Sequence, residues 1–272
     1  MGPPWQQGYQ GGRDMAGRSV PVGGTMPGQV RWRKWLRRAA LAVTGIVVVL
    51  VTAAGVIMAA TPSVGNAWSL ARAQAVQHHA VFPGPQVPAK FADALIATED
   101  HRFRSEPGVD PLAIVRVLLG RLFGGGDQGG ATLYQQLAKL LYTPNQWNFA
   151  VEVKQVALAI KLKYSYTSEQ VLRMYATVAY FGHGYYGLEA ASCGYFGRQS
   201  DRLSWPQAAL LAGLVQAPSA YDPLEHSALA RSREGHVIAR LVATGALSQQ
   251  QATAALTVPV ARLTAGAGGC RA

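Results

Sequence analysis

Hydrophobic positions in this chain come first as one unbroken block and then as helical stripes. Ala39 to Ala60 reads AALAVTGIVVVLVTAAGVIMAA, without a single charge. At about 1.5 Å per residue, such a block spans about 30 Å of hydrocarbon, so it predicts one transmembrane helix over 39–60. A cleaved secretory leader has a shorter apolar core and a shorter lead-in. The 38 residues before this block therefore favour an uncleaved anchor. From about residue 86 to 245 the pattern is helical and no strand alternation is visible.

Helix boundaries can be read in the same stretch. Capping boxes occur at Thr167-x-x-Gln170, Ser204-x-x-Gln207 and Ser248-x-x-Gln251. Asp110-Pro111 supplies an N-cap acid and a proline at the first helical position. Phe91 to Ala97 forms a buried helical face. Leu133, Leu137, Leu140 and Leu141 make one apolar stripe, opposite a polar stripe of Thr132, Gln135, Gln136 and Lys139. Pro111 to Phe123 is apolar except at Arg116, Gly120 and Arg121. It is either buried core or a helix dipping into the outer leaflet. The resulting organisation is a disordered basic tail (1–38), the transmembrane helix (39–60), a linker (61–85), a helical domain (86–255) and a flexible C-terminal tail (256–272). Ala67 to Val81 within the linker has the composition of a further helix.

Charge adds orientation. Residues 1–38 carry seven Lys/Arg and one acid, and the cluster Arg31 to Arg38 directly precedes the apolar block. The positive-inside rule puts the N-terminus in the cytoplasm and the domain outside. The formal net charge of +11 fits anionic lipid. No helix-turn-helix, zinc spacing or aromatic RNA-binding motif accompanies it, so no nucleic-acid partner is implied. Cys193 and Cys270 have no metal spacing, and the sequence leaves their pairing open.

The candidate chemistry centres on Glu99-Asp100, where an apolar stretch meets a loop. A carboxylate there can hold a shifted pKa suited to general base work. A solvated pair capping a helix end is the alternative. After Gly129-Gly130, a helix N-terminus with free N–H groups and Lys139 one to two turns along suits a phosphate.

Several ordered segments together resemble the peptidoglycan glycosyltransferase family, the glycan-polymerising modules of class A penicillin-binding proteins and the monofunctional transglycosylases. They are Glu99-Asp100-His-Arg-Phe103-Arg-Ser-Glu106-Pro-Gly108-Val-Asp110, Gly129-Gly130-Ala-Thr132-Leu-Tyr-Gln135-Gln136-Leu-Ala-Lys139, Tyr180 to Ala191, and Ala208 to Ser219 followed by Tyr221-Asp-Pro223. The resemblance covers roughly residues 86–245. It implies an all-α, lysozyme-like fold with a small membrane-proximal lobe. It also implies lipid II as substrate, a nascent glycan strand as product, and inverting hexosyl transfer with loss of undecaprenyl pyrophosphate. On the matching positions, Glu99 is the implied base. Asp100, Phe103, Gly130, Thr132, Gln135, Gln136, Lys139, Glu152, Gln155 and Arg233 are the implied substrate-binding set. Mg²⁺ or Mn²⁺ is the implied cofactor for the leaving pyrophosphate, with no ligands assigned. No Ser-x-x-Lys or Lys-Thr-Gly motif of a penicillin-binding module occurs, so the chain reads as monofunctional.

The chain departs from the family pattern at the third motif, Arg-Lys-x-x-Glu, which aligns with Val151-Glu152-Val153-Lys154-Gln155. The second acidic residue of the site is thus a glutamine. Arg173 and Thr177 stand at a family Glu and Asn, Glu234 at a common arginine and Glu106 at a histidine. The departures leave two readings: a rewired active enzyme, or an impaired member that binds lipid II or scaffolds other cell-wall synthases. Cleavage of glycan by Glu99 as proton donor is a third, weaker reading.

Overall fold

The computed structural model describes residues 28–109, 131–257 and 270. The lobe segment 111–123, Gly130 and most of the 256–272 tail lie outside the described residues. Ten α-helices and one 3₁₀ turn make up the regular structure among the described residues, with a single isolated bridge between Tyr180 and Tyr186. The all-α expectation therefore holds.

Helix α1 runs Gly28–Ala60, 33 residues or about 50 Å. The basic segment from residue 28 to 38, expected as part of the tail, continues the same helix. Arg, Lys, Trp and Leu carry no helix-breaking tendency, and Pro27 is the nearest breaker. Within α1, Lys34–Ala60 is long and apolar enough to cross a membrane, and none of it is buried by protein.

Residues 57 onward form a separate compact unit. Its helices are α2 (Ala67–Gln77), α3 (Ala89–Glu99), α4 (Leu133–Tyr142), α5 (Phe149–Ser165), α6 (Ser168–Val178), α7 (Leu188–Phe196), α8 (Trp205–Leu214), α9 (Ser227–Ala243) and α10 (Gln249–Thr257). All three expected capping boxes form. A fourth, Thr132 with Gln135, starts α4.

Helix α8 is the hub. Every residue from Pro206 to Leu214 is buried, as its all-round apolar sequence requires. Each fully buried leucine there contributes about 1.5–3 kcal/mol. Helices α3 and α9 pack on it and on each other, while α4 packs on α5 and α6.

The 61–85 segment is not a linker. Helix α2 lies within it, with Ala67, Ala71 and Ala75 buried against the unit. Alanine at i, i+4 and i+8 gives a face so small that hydrophobic counting overlooks it. Lys161 Nζ donates to the carbonyls of Thr61 and Pro62, and the Tyr142 and Tyr166 hydroxyls donate to that of Val64. The domain's folded structure therefore begins at the end of α1.

Candidate active site

Four helices converge on Glu99. Helix α3 ends at this residue, and its buried face of Phe91, Ala92, Ala94, Leu95 and Ala97 anchors the end against α8. The Glu99 carboxylate is 13% exposed. Its Oε1 accepts from Arg233 on α9 at 3.0 Å, and its Oε2 accepts from the Gln136 amide on α4 at 3.1 Å. The Gln136 amide oxygen accepts from the Tyr175 hydroxyl of α6 at 2.8 Å, which fixes which end of the amide faces Glu99. Burial pushes the Glu99 carboxyl above the usual glutamate range, against the opposing pull of Gln136 and Arg233. Burial also raises the Tyr175 hydroxyl, with Glu99 adding to the effect, so it remains a donor.

Arg233 is held from three sides. Its Nε donates to the Gly213 carbonyl at 3.3 Å, and its guanidinium lies 5.8 Å from the Tyr221 ring centroid. A Cβ on Gly213 would stand 2.8 Å from Arg233 Cγ, so α8 needs glycine where the arginine stem crosses it. One turn-pair further along α9, Arg240 donates to the Ala97 carbonyl at 3.1 Å. Helix α9 thus grips the end of α3 twice.

Several of the sequence-implied substrate-binding residues make contacts within the protein. Asp100 is 7% exposed. Its Oδ2 accepts from the Leu133 N–H at 2.9 Å, locking the end of α3 to the start of α4. Burial raises its pKa, while Leu133 and a hydrogen bond with Glu106 lower it. Glu106 is buried at the position where the family pattern has histidine. Phe103 is fully buried and stacked on Tyr134 at 4.7 Å. Thr132 is buried too, and its hydroxyl donates to the Gly108 carbonyl at 2.8 Å. Gln135 spends its amide oxygen on the Thr132 N–H. The N–H groups of Thr132, Leu133 and Gln135 are thus engaged within the protein, while Gly130, the first residue of the expected phosphate cradle, lies outside the described residues. Lys139, exposed and one turn beyond Gln136, remains the cation on that face.

The third-motif positions fall on α5. Gln155 donates to Thr143 Oγ1 at 2.8 Å. It ties α5 to the buried C-cap of α4 and is not bonded to Glu99. Glu152 is exposed in the first turn of α5. The other departures also have structural partners. Arg173 donates to the Gly84 carbonyl at 2.7 Å, and Thr177 donates to the Arg173 carbonyl. Glu234 is buried, doubly bonded to Arg231, which also reaches the Leu256 carbonyl of α10. Glu189 accepts from the Ser200 N–H and hydroxyl, so it braces the 3₁₀ turn.

The donor set around Glu99 does not suit a divalent cation among the described residues. Glu99 faces the cationic Arg233, and the second acid of the family pattern is an amide, so a cation there would meet one carboxylate beside a positive charge. The sequence reading missed Tyr175 and Gly213. No local pattern marks either, because each matters only through a partner on another helix.

Residues 67–242 match the family model described as Transglycosylase. The Escherichia coli penicillin-binding protein 1A is 37% identical over 167 residues, covering 61% of this chain and 20% of that protein. The Streptococcus oralis penicillin-binding protein 1A is 34% identical over 179 residues, covering 64% of this chain and 28% of that protein. A Cupriavidus necator protein named "Putative transglycosylase" is 30% identical over 178 residues, covering 65% of this chain and 77% of that protein. The chain thus spans about a quarter of the penicillin-binding proteins it matches, and about three quarters of the shorter relative.

Proposed function

The chain belongs to the transglycosylase family, and we propose that it is a peptidoglycan glycosyltransferase of cell-wall synthesis, with Glu99 as its general base. The observation that carries this reading is a nearly buried carboxylate whose two oxygens are each fixed by one donor, Arg233 and Gln136. Each oxygen has two lone-pair directions, so one on each remains for a substrate hydroxyl.

In the reaction, the 4-hydroxyl of the acceptor GlcNAc gives its proton to Glu99. Its oxygen bonds to C1 of the donor MurNAc with inversion, while the C1–O bond to the lipid pyrophosphate breaks. A positioned base supplies about 10²–10⁴-fold. Arg233 favours the ionised carboxylate that accepts the proton, and burial keeps that carboxylate more basic than one in water. Lys139 offsets charge on the departing pyrophosphate, and no step needs a metal at Glu99. Lipid II and the growing glycan strand are the substrates. The exposed apolar stretch Lys34–Ala60 is the membrane anchor, with the basic cluster cytoplasmic and the domain outside.

The test is incubation of purified full-length protein in detergent with lipid II, read as glycan strands on a gel. Strand growth is the expected result. Lipid II binding without elongation would refute the catalytic reading and leave the binding or scaffolding one.

A further inference from the structure

A second group of convergent side chains lies on a different pair of loops. His183 sits in the turn closed by the Tyr180–Tyr186 bridge. Asp222 and Glu225 sit in the connection between α8 and α9. One ligand atom from each of the three falls within 4.8 Å of the others. His183 Nδ1 and Asp222 Oδ2 are 3.3 Å apart. Two ligands each about 2.0–2.1 Å from a tetrahedral ion stand about 3.3–3.4 Å apart, so this pair is already at coordinating separation. Glu225 is exposed on a flexible stem and can close the remaining gap by rotation.

The surroundings hold His183 and Asp222 in place. Asp222 is 3% exposed, and its Oδ1 accepts from the Leu224 N–H at 2.9 Å, leaving Oδ2 directed at His183. Ligating carboxylates are commonly braced in this way by a hydrogen bond on the second oxygen. His183 has φ 49°, between Gly182 at 87° and Gly184 at 80°. A non-glycine residue in the left-handed region costs about 1–2 kcal/mol. Here it turns the imidazole towards Asp222. Gly182 presses so closely on the Pro218 carbonyl that a Cβ would stand 2.7 Å from it, so the two loops are in fixed register.

We propose that His183, Asp222 and Glu225 form a three-ligand site for a divalent first-row cation of the zinc class, joining the 180–187 turn to the α8–α9 connection. One imidazole and two carboxylates, with a fourth position open to water, match the mixed nitrogen and oxygen set zinc accepts. Imidazole in the set disfavours magnesium and calcium, and the affinity order for such ligands puts zinc above manganese. The ion stiffens the connection that carries Tyr221, whose ring lies against Arg233. The site is independent of the glycosyltransferase reading, because it uses none of the residues around Glu99.

The test uses tag-free full-length protein in detergent, stripped with EDTA and titrated with Zn²⁺ by calorimetry, with thermal melting alongside. The expected result is one Zn²⁺ per chain and a raised melting temperature. His183→Ala and Glu225→Gln should each weaken binding by more than about tenfold, the scale seen even for outer-shell losses. Glu225 is exposed, so its variant keeps the test valid even if His183→Ala folds poorly. No stoichiometric uptake, or uptake unchanged in Glu225→Gln, overturns the proposal.

Discussion

Replacing Arg233 with methionine is the sharpest perturbation of the Glu99 network. Methionine keeps the apolar stem against Gly213 and Tyr221 but removes the guanidinium that bonds Glu99 Oε1 at 3.0 Å. Both partners are nearly buried, at 11% and 13% exposure, so solvent screens the pair little. A hydrogen bond to a charged partner is worth about 1.5–3 kcal/mol. Its loss disfavours the Glu99 carboxylate relative to the neutral acid. Burial already raises the Glu99 pKa and Arg233 lowers it, so removing Arg233 moves it further up. The base works only when ionised. The acid limb of kcat/KM therefore shifts to higher pH, and at a fixed pH below the new limb the rate falls by about ten- to a hundredfold. The assay is lipid II polymerisation across a pH series for both proteins. A limb that stays in place, with activity reduced equally at every pH, would refute the ionisation argument and make Arg233 a substrate-binding group.

Three further outcomes follow from the same geometry. Tyr175→Phe strips a buried donor from the Gln136 amide oxygen. It should cost about 1–3 kcal/mol in denaturant unfolding and lower the polymerisation rate, because Gln136 is then free to turn away from Glu99. Gly108 has φ 91°, and a Cβ there would stand 2.8 Å from the Ala159 carbonyl. Gly108→Ala should therefore destabilise by about 1–3 kcal/mol, read as a lowered melting temperature. Cys193 and Cys270 are joined across 77 residues of chain, and loop-closure entropy gives that cross-link up to about 4 kcal/mol. Cys193→Ser should lower the melting temperature, and dithiothreitol should lower that of wild type but not of the variant.

The sequence carried the outline of this fold because its signals are local. Capping boxes at Thr167, Ser204 and Ser248 fix helix starts within a few residues of chain, and each forms. The α4 stripe also survives, with Leu133, Leu137 and Leu141 buried. Glu99 and Arg233 are 134 residues apart in sequence and meet in space. A family motif supplied each, but neither motif says that they touch. The motif residues Asp100, Phe103 and Thr132 illustrate the main limit. A residue fixed because the fold needs it reads the same in sequence as one that touches substrate. Tyr175 and Gly213 illustrate another, since a hydroxyl aimed at Gln136 and a missing Cβ beneath Arg233 exist only between helices. The Gln155 departure changes meaning in the same way: read as a lost catalytic acid, it braces Thr143.

Glu99→Gln compared with wild type, in lipid II polymerisation with thermal melting of both proteins, tests the role of the base most directly. The substitution keeps the side chain's shape and removes only its ability to take a proton. Glycan strands from wild type and none from a variant that melts normally is the predicted result. Strands from Glu99→Gln at the wild-type rate would contradict the assignment of the base.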